Sequence, residues 1–326
     1  MVISELVPLL VACATAGALI LLLWLDRYTV EPVVPFFVAA LFGAAAGWGA
    51  RLAARAGHLV GMSGWGGEEV AGTADLLRTA VAAAPLPALL AAVAVAVLCR
   101  ERRFPGLAEP VVIGVAPTLG AASVVALAGE GTRLAAAVAQ LLWWAVSGAT
   151  VGAVLGWGRG VPRRPWNRLL VALAPLGGIV VAALGGVVEG LRVGWSGGAR
   201  GLLAWLGVVL PLCLLGLVVG GILAIEGRQI RAELGQEVAL GVLPEWVVPL
   251  VSSYWKRAFG SWWVPRSERR IVARVLTTLA FRARAVRGAT ERVAGLRALE
   301  VGRLRQRARE LLQLREASAT TRQAMG

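Results

Sequence analysis

Between Ala84 and Leu127 the chain runs as an apolar segment, a short basic loop (Cys99-Arg-Glu-Arg-Arg-Phe-Pro-Gly106) and a second apolar segment rich in Gly and Ala. About 20 helical residues at ~1.5 Å rise each cover the ~30 Å hydrocarbon core of a bilayer. Two such segments joined by so short a loop predict a membrane hairpin. Neither carries an ionisable residue in its interior, and Glu109 stands only at the mouth of the second. Charged groups at depth are costly and usually mark catalytic or ion-conducting sites. The hairpin therefore reads as scaffold.

The rest of the composition agrees with a membrane class. Of 326 residues 58% are hydrophobic, mean hydropathy is +0.72, and the apolar residues come in long blocks. Spans are expected over Leu6–Leu25, Val33–Ala54, Val81–Leu98, Pro110–Ala128, Leu134–Trp157, Leu169–Val188 and Leu202–Ile225. The first starts beside Glu5 without a basic leader, so it reads as a span rather than a signal peptide. Glycines at four-residue spacing (Gly43 and Gly47; Gly148, Gly152 and Gly156; Gly216 and Gly220) are expected packing notches. The fold class is thus an all-α polytopic membrane protein of about seven helices, residues 1–226, with a basic helical tail, residues 227–326.

Charge sets the orientation. The net charge is +14, and beyond Glu226 there are 19 basic against 8 acidic residues. With the N-terminus outside, the inner loops hold Arg27, then Arg100, Arg102 and Arg103, then Arg159, Arg163, Arg164 and Arg168; the outer loops hold fewer. The bias predicts N-terminus out and C-terminus in the cytoplasm. Anionic lipids are the expected partner of the tail, together with other membrane proteins; nucleic acid is not expected, because no binding motif accompanies the charge. In the tail, Trp246, Trp255, Trp262 and Trp263 beside Lys256, Arg257 and Arg266 suit a segment at headgroup level, with a small soluble core as the alternative. Apolar spacing predicts one helix through Val272, Val275, Leu276, Leu279, Ala283 and Val286. It predicts a second through Val293, Leu296, Leu304, Ala308 and Leu311, fraying from Ser318 onward.

Four stretches resemble the PrsW family of intramembrane metalloproteases, which cut membrane-anchored anti-sigma factors. Leu25-Asp-Arg-Tyr-Thr-Val-Glu-Pro32, with Phe36, Phe37 and Gly43, resembles that family's Asp-Arg/Lys…Glu-Pro signature. Arg102-Arg-Phe-Pro-Gly-Leu-Ala-Glu-Pro-Val-Val-Ile-Gly114, with Gly120-Ala-Ala122, is similar to its second signature stretch. The Gly-laddered fifth span is the third. The fourth, Ile230 to Leu243 with Leu279-Ala-Phe281 and Leu296-Arg297, looks like the cytoplasmic tail of actinobacterial members. The resemblance covers most of the chain and implies a bacterial plasma-membrane location.

It also implies a metal site, and here the residues differ. The family's paired glutamates would fall near Leu86 and Pro87, its Phe-x-x-x-Glu motif at Ala121-Ala-Ser-Val-Val125, and its membrane histidines near Trp144 and near Gly185. A water-activating metal needs several N or O ligands and a general base. These positions supply none, so no catalytic, cofactor-binding or metal-binding residue is assigned and no cofactor is expected. The expected role is a non-catalytic binding or scaffolding subunit, a pseudoprotease. The alternatives are an active protease using a displaced site, or a channel or transporter component. His58, Glu68 and Glu69 are the only displaced ligand set in view, and their spacing reads as a solvated loop. Glu189 reads as an interfacial carboxylate and Gln140 as a helix-to-helix hydrogen bond. Gly156-Trp-Gly-Arg-Gly160 lacks the Lys-Ser/Thr of a phosphate loop. Cys13, Cys99 and Cys213 have no metal or disulfide spacing. A reporter fused after Gly326 should be active only in the cytoplasm, and one inserted at 61–67 only outside. Activity of the tail reporter outside would overturn the topology.

Overall fold

The computed structural model describes residues 13–18, 20, 33–55, 84–99, 106–127, 134–160, 165–194, 198–259, 266–287 and 291–324. Among these residues all regular structure is helical: α1 (Val33–Arg55), α2 (Pro85–Leu98), α3 (Ala108–Leu127), α4 (Leu134–Gly160), α5 (Pro165–Gly194), α6 (Gly198–Ala239), α7 (Val247–Ser252), α8 (Tyr254–Phe259), α9 (Arg266–Arg287) and α10 (Glu291–Ala324). Five of them (α1, α3, α4, α5 and α6) are long and apolar enough to cross a membrane, which fits a membrane-inserted protein. The chain divides into two compact units, and the boundary falls within α6 between Gly220 and Gly221.

The first and third expected spans are described only in part. The third is a helix of only 14 residues among the described ones. Prolines at its first turn start it, since Pro has no N–H to leave unpaired, and at its other end the Cys99 N–H returns to the Val95 carbonyl at 3.0 Å. At ~1.5 Å per residue it reaches about 21 Å, short of a full crossing. Most of the first expected span lies outside the described residues. Its described part is helical at residues 13–18, and the Thr15 hydroxyl shares a 2.8 Å hydrogen bond with Ser123 of α3.

The first unit is arranged around α3, whose spanning segment is 89% buried. On one side it crosses α1: Gly43 lies against the Pro117 carbonyl, Gly120 against the Ala40 carbonyl, and a methyl group at Gly47 would come within 2.8 Å of the Ala121 carbonyl oxygen. On the other side it crosses α4, where Gly114 faces Gly148 and Gly152 faces the Pro110 carbonyl. Helices in lipid gain no hydrophobic drive to associate, so close backbone approach of this kind carries the attraction. α2 packs on α3, α4 and α5, and α5 packs on α4. The Ser147 hydroxyl donates across the α4–α5 seam to the Gly178 carbonyl at 2.8 Å. Gly216 and Gly220 depart from the expectation of a notch on α6: among the described residues a side chain there would have no neighbour within 4 Å.

α6 is 42 residues long, about 63 Å, and continues past the expected end of its span at Ile225. It stops in a Schellman turn. The Gly241 N–H bonds the Val238 carbonyl and the Val242 N–H bonds the Glu237 carbonyl, both at 2.9 Å, with Gly241 at φ 67°. This reversal delivers Val242 and Leu243 into the core of the second unit. That core also holds Ile230 and Leu234 of α6, Val247, Val248 and Val251 of α7, Leu276 and Leu279 of α9, and Val301, Ala308 and Leu311 of α10.

The tail therefore has a core of its own, and the headgroup-level reading of its Trp-rich stretch is corrected in part. Trp246 packs against the core and Arg257 is buried, whereas Trp255 is exposed; Trp262 and Trp263 lie outside the described residues. In the helix pair α9–α10 the expected positions Val272, Val275, Leu276, Leu279, Val286, Leu304, Ala308 and Leu311 belong to or pack against this core, Ala283 is buried, and Ala280, Phe281 and Val301 join them; the side chains of Val293 and Leu296 lie outside the described residues. Helix α10 continues to Ala324 instead of fraying at Ser318. A fragment spanning 221–326 should accordingly fold as a helical unit with a cooperative thermal transition by circular dichroism. A fragment starting at Gly241 lacks Ile230 and Leu234 and should melt broadly or not at all; equal cooperativity of the two would contradict this core.

Candidate functional site

The helices that would carry a metal site by the family resemblance are neighbours in the first unit. α2, α4 and α5 pack on one another. What they bring together is apolar. Trp144 is 1% exposed and Pro87 is buried, while Gly185 is a notch beneath the Trp143 ring, which a methyl group there would overlap. Gly178 is a second notch on α5, where a methyl group would lie 2.5 Å from Val151 and 2.9 Å from Ala88. Ala121, Ala122 and Val125 of α3 are buried, and the Ser123 hydroxyl bonds back to the Leu119 carbonyl at 2.6 Å. Close packing of this density leaves little volume for a hydrated cation.

The other residues weighed from the sequence are scattered. Glu109 is buried in the first turn of α3, where the positive end of the helix favours a carboxylate. Glu189 is half-buried and takes both nitrogens of a forked bond from Arg192 one turn later, the Nε at 2.8 Å. Among the described residues the Gln140 amide nitrogen and the Trp143 indole nitrogen are buried without a hydrogen-bond partner, and the interhelical bond expected of Gln140 is not made there by its amide N–H. Gly156 to Gly160 continues the helix α4 and forms no loop. His58, Glu68 and Glu69 lie outside the described residues. Among the described residues no group of three or more His, Cys, Asp or Glu is placed to hold a metal ion.

The polar geometry is instead concentrated in the second unit. Glu226 and Arg257 form an ion pair at 3.3 Å with both side chains 2% exposed, and the Arg257 guanidinium lies 5.6 Å from the Tyr254 ring centroid. Glu237, 1% exposed at its side chain, accepts two bonds from Arg305 at 2.7 and 2.8 Å. That forked bond raises the Arg305 pKa above the usual guanidinium value, with burial opposing it. Arg282 reaches Glu300 at 3.2 Å and ties α9 to α10. The first two pairs join residues 31 and 68 positions apart. Sequence reading missed them because charge patterning in a sequence signals only neighbours on one helix face.

The sequence matches no family model, and neither the curated proteins nor the solved structures show a significant match. Function therefore rests on these residues alone.

Removing one partner of an enclosed ion pair leaves a desolvated charge and typically costs about 3–5 kcal/mol, whereas replacing both with apolar side chains of similar volume is often neutral. Glu226→Ala should destabilise the second unit by roughly that amount, and Glu226→Leu with Arg257→Met should recover most of it. Urea unfolding of the 221–326 fragment reads both. A mild Glu226→Ala would place the pair in water.

Proposed function

We propose that the chain is a PrsW-like integral membrane protein that has lost its metal site and serves as a non-catalytic binding or scaffolding subunit. It resides in a bacterial plasma membrane, with about seven passes, its N-terminus outside and its C-terminus in the cytoplasm. The observation that carries this reading is the packing of Trp143 into Gly185 beside the enclosed Trp144. Where the resemblance calls for histidines, the Trp143 ring fills the notch at Gly185 of α5 and Trp144 is enclosed. A restored glutamate near Leu86 or Pro87 would meet no second ligand, so a single substitution would not recreate the chemistry.

Membrane residence is supported by the exposed large apolar side chains of α1, α5 and α6, among them Leu41, Leu176, Leu202, Trp205 and Leu217. Such surface is stable against lipid and aggregates in water. A scaffolding role is supported by what the bundle is made of: helix crossings, small residues and internally paired charges. The tail, with its excess of arginine, is read as the part facing anionic lipid and cytoplasmic partners.

Two measurements test the reading together. Protein purified in mild detergent without added metal should contain no zinc at stoichiometric level by plasma mass spectrometry, and a co-expressed single-span anti-sigma factor should be cleaved no faster than background. A His58→Ala, Glu68→Ala, Glu69→Ala variant should match the parent in membrane insertion and in whatever proteins co-elute. One zinc per chain, lost in that variant, would replace this reading with a protease using a displaced site.

A further inference from the structure

Several features of the second unit converge on the turn where α6 leaves its apolar run. Leu202–Ile225 contains no charged residue, and Glu226 is the first one after it. The Glu226 carboxylate accepts from Arg257 at 3.3 Å, both side chains enclosed, and Arg257 stacks over Tyr254. One position on, Gly227 leaves room for the Ser252 carbonyl, which any side chain there would strike. Helices α7 and α8 are thus held at two points against the first polar turn of α6.

What α8 then displays is unusual for a water-facing surface. Arg257 turns inward to Glu226, but the residues just before it turn outward. Trp255 is 66% exposed, although its ring meets Tyr254 edge-on at 6.0 Å, and Lys256 is exposed beside it. On α6, Arg228 is exposed two residues past the buried pair, and Arg231 follows at the next turn. A large indole left two-thirds in water loses the benefit of burial, whereas at a bilayer interface its ring enters the acyl boundary and its N–H stays with the headgroups. Lysine and arginine at that depth meet lipid phosphates and are drawn to an anionic surface. Burial of Arg257 matters to this arrangement: it makes α8 a fixed part of the emerging helix instead of a loose arm.

We propose that Trp255, Lys256 and Arg228 form an interfacial anchor for anionic phospholipid headgroups in the leaflet from which α6 emerges, and that the enclosed Glu226–Arg257 pair sets its depth. The inference rests on the reading of α6 as a membrane span, and it adds the residues and the chemistry of the lipid contact. A protein partner would also accept an exposed indole and an ammonium, but it would not require them at the level where the apolar run ends. The pair itself is a positioning element. It is too enclosed to touch lipid.

The test uses the full chain in vesicles with Cys13→Ser, Cys99→Ser and Cys213→Ser as background. A single cysteine carrying an environment-sensitive fluorophore replaces Leu217, Trp255 or Ala239 in turn, and nitroxide lipids quench at headgroup or acyl depth. The label at 217 should be quenched by acyl-chain nitroxide. At 255 it should be quenched by headgroup nitroxide, more strongly when the vesicles contain phosphatidylglycerol than with phosphatidylcholine alone. At 239, about 20 Å further along α6, only a water-soluble quencher should act. Lys256→Glu with Arg228→Glu should abolish the phosphatidylglycerol dependence at 255. Glu226→Gln should move that label toward the aqueous quencher, and Arg257→Lys, which keeps the charge, should move it less; circular dichroism confirms that both remain helical.

Failure of acyl quenching at 217 would overturn the membrane reading itself. Quenching at 217 with only aqueous quenching at 255 would overturn the anchor alone. Headgroup quenching at 255 that ignores lipid charge would overturn the phosphate contact. An unchanged depth in both Glu226→Gln and Arg257→Lys would overturn the positioning role of the pair.

Discussion

The bundle depends on direct backbone contact between helices. α3 is enclosed because α1 and α4 each approach it at glycines: Gly43, Gly47 and Gly120 on one side, Gly114, Gly148 and Gly152 on the other. In water such a core would be assembled by burying large side chains. In a bilayer the lipid is as apolar as leucine, so shape fit and dispersion across short distances must do it. That explains why the most enclosed helix is built so largely from Ala, Gly and Val, and why it can serve both neighbours at once.

The second unit solves the problem in the other way. Its core is a conventional cluster of Leu, Ile and Val, assembled from α6, α7, α9 and α10 and closed by two carboxylates that meet arginines far away in sequence. One helix, α6, contributes to both units, and the change of solvent is written along it. Up to Ile225 it exposes leucines and a tryptophan; from Glu226 onward its inward face carries Glu226, Ile230, Leu234 and Glu237 at helical spacing, all buried. The Schellman turn at Gly241 then folds the chain back against that face.

Much of this was legible in the sequence, and the failures have identifiable causes. Apolar run length located five helices long and apolar enough to cross a membrane, because in lipid the backbone must satisfy itself within each helix. For α2 the described helix covers Pro85–Leu98, and positions 81–83 of the expected span lie outside the described residues. Spacing of glycines showed which residues could be notches but not which were used: Gly43 and Gly47 meet α3, while Gly216 and Gly220, in the same pattern, meet nothing among the described residues. A motif specifies one surface of a contact, and the partner comes from topology. The same limit hid the Glu226–Arg257 pair and led Arg257 to be read as interfacial. Sequence also gave no sign that the Trp143 ring occupies the notch at Gly185, because that contact joins two helices.

The central claim is that the glycine crossings at α3, rather than glycine content in general, hold the bundle. Its most direct measurement is reversible unfolding of the full chain in mixed micelles for two matched substitutions, Gly148→Ala and Gly216→Ala. Both add one methyl group to a spanning helix, and alanine is the better helix former by about 1 kcal/mol. At Gly148 the methyl meets the Gly114 carbonyl and lies 2.7 Å from the Thr118 hydroxyl; at Gly216 it has no neighbour within 4 Å. The account predicts that Gly148→Ala lowers stability while Gly216→Ala leaves it unchanged or raises it. Equal effects of the two, or a stable Gly148→Ala, would contradict it.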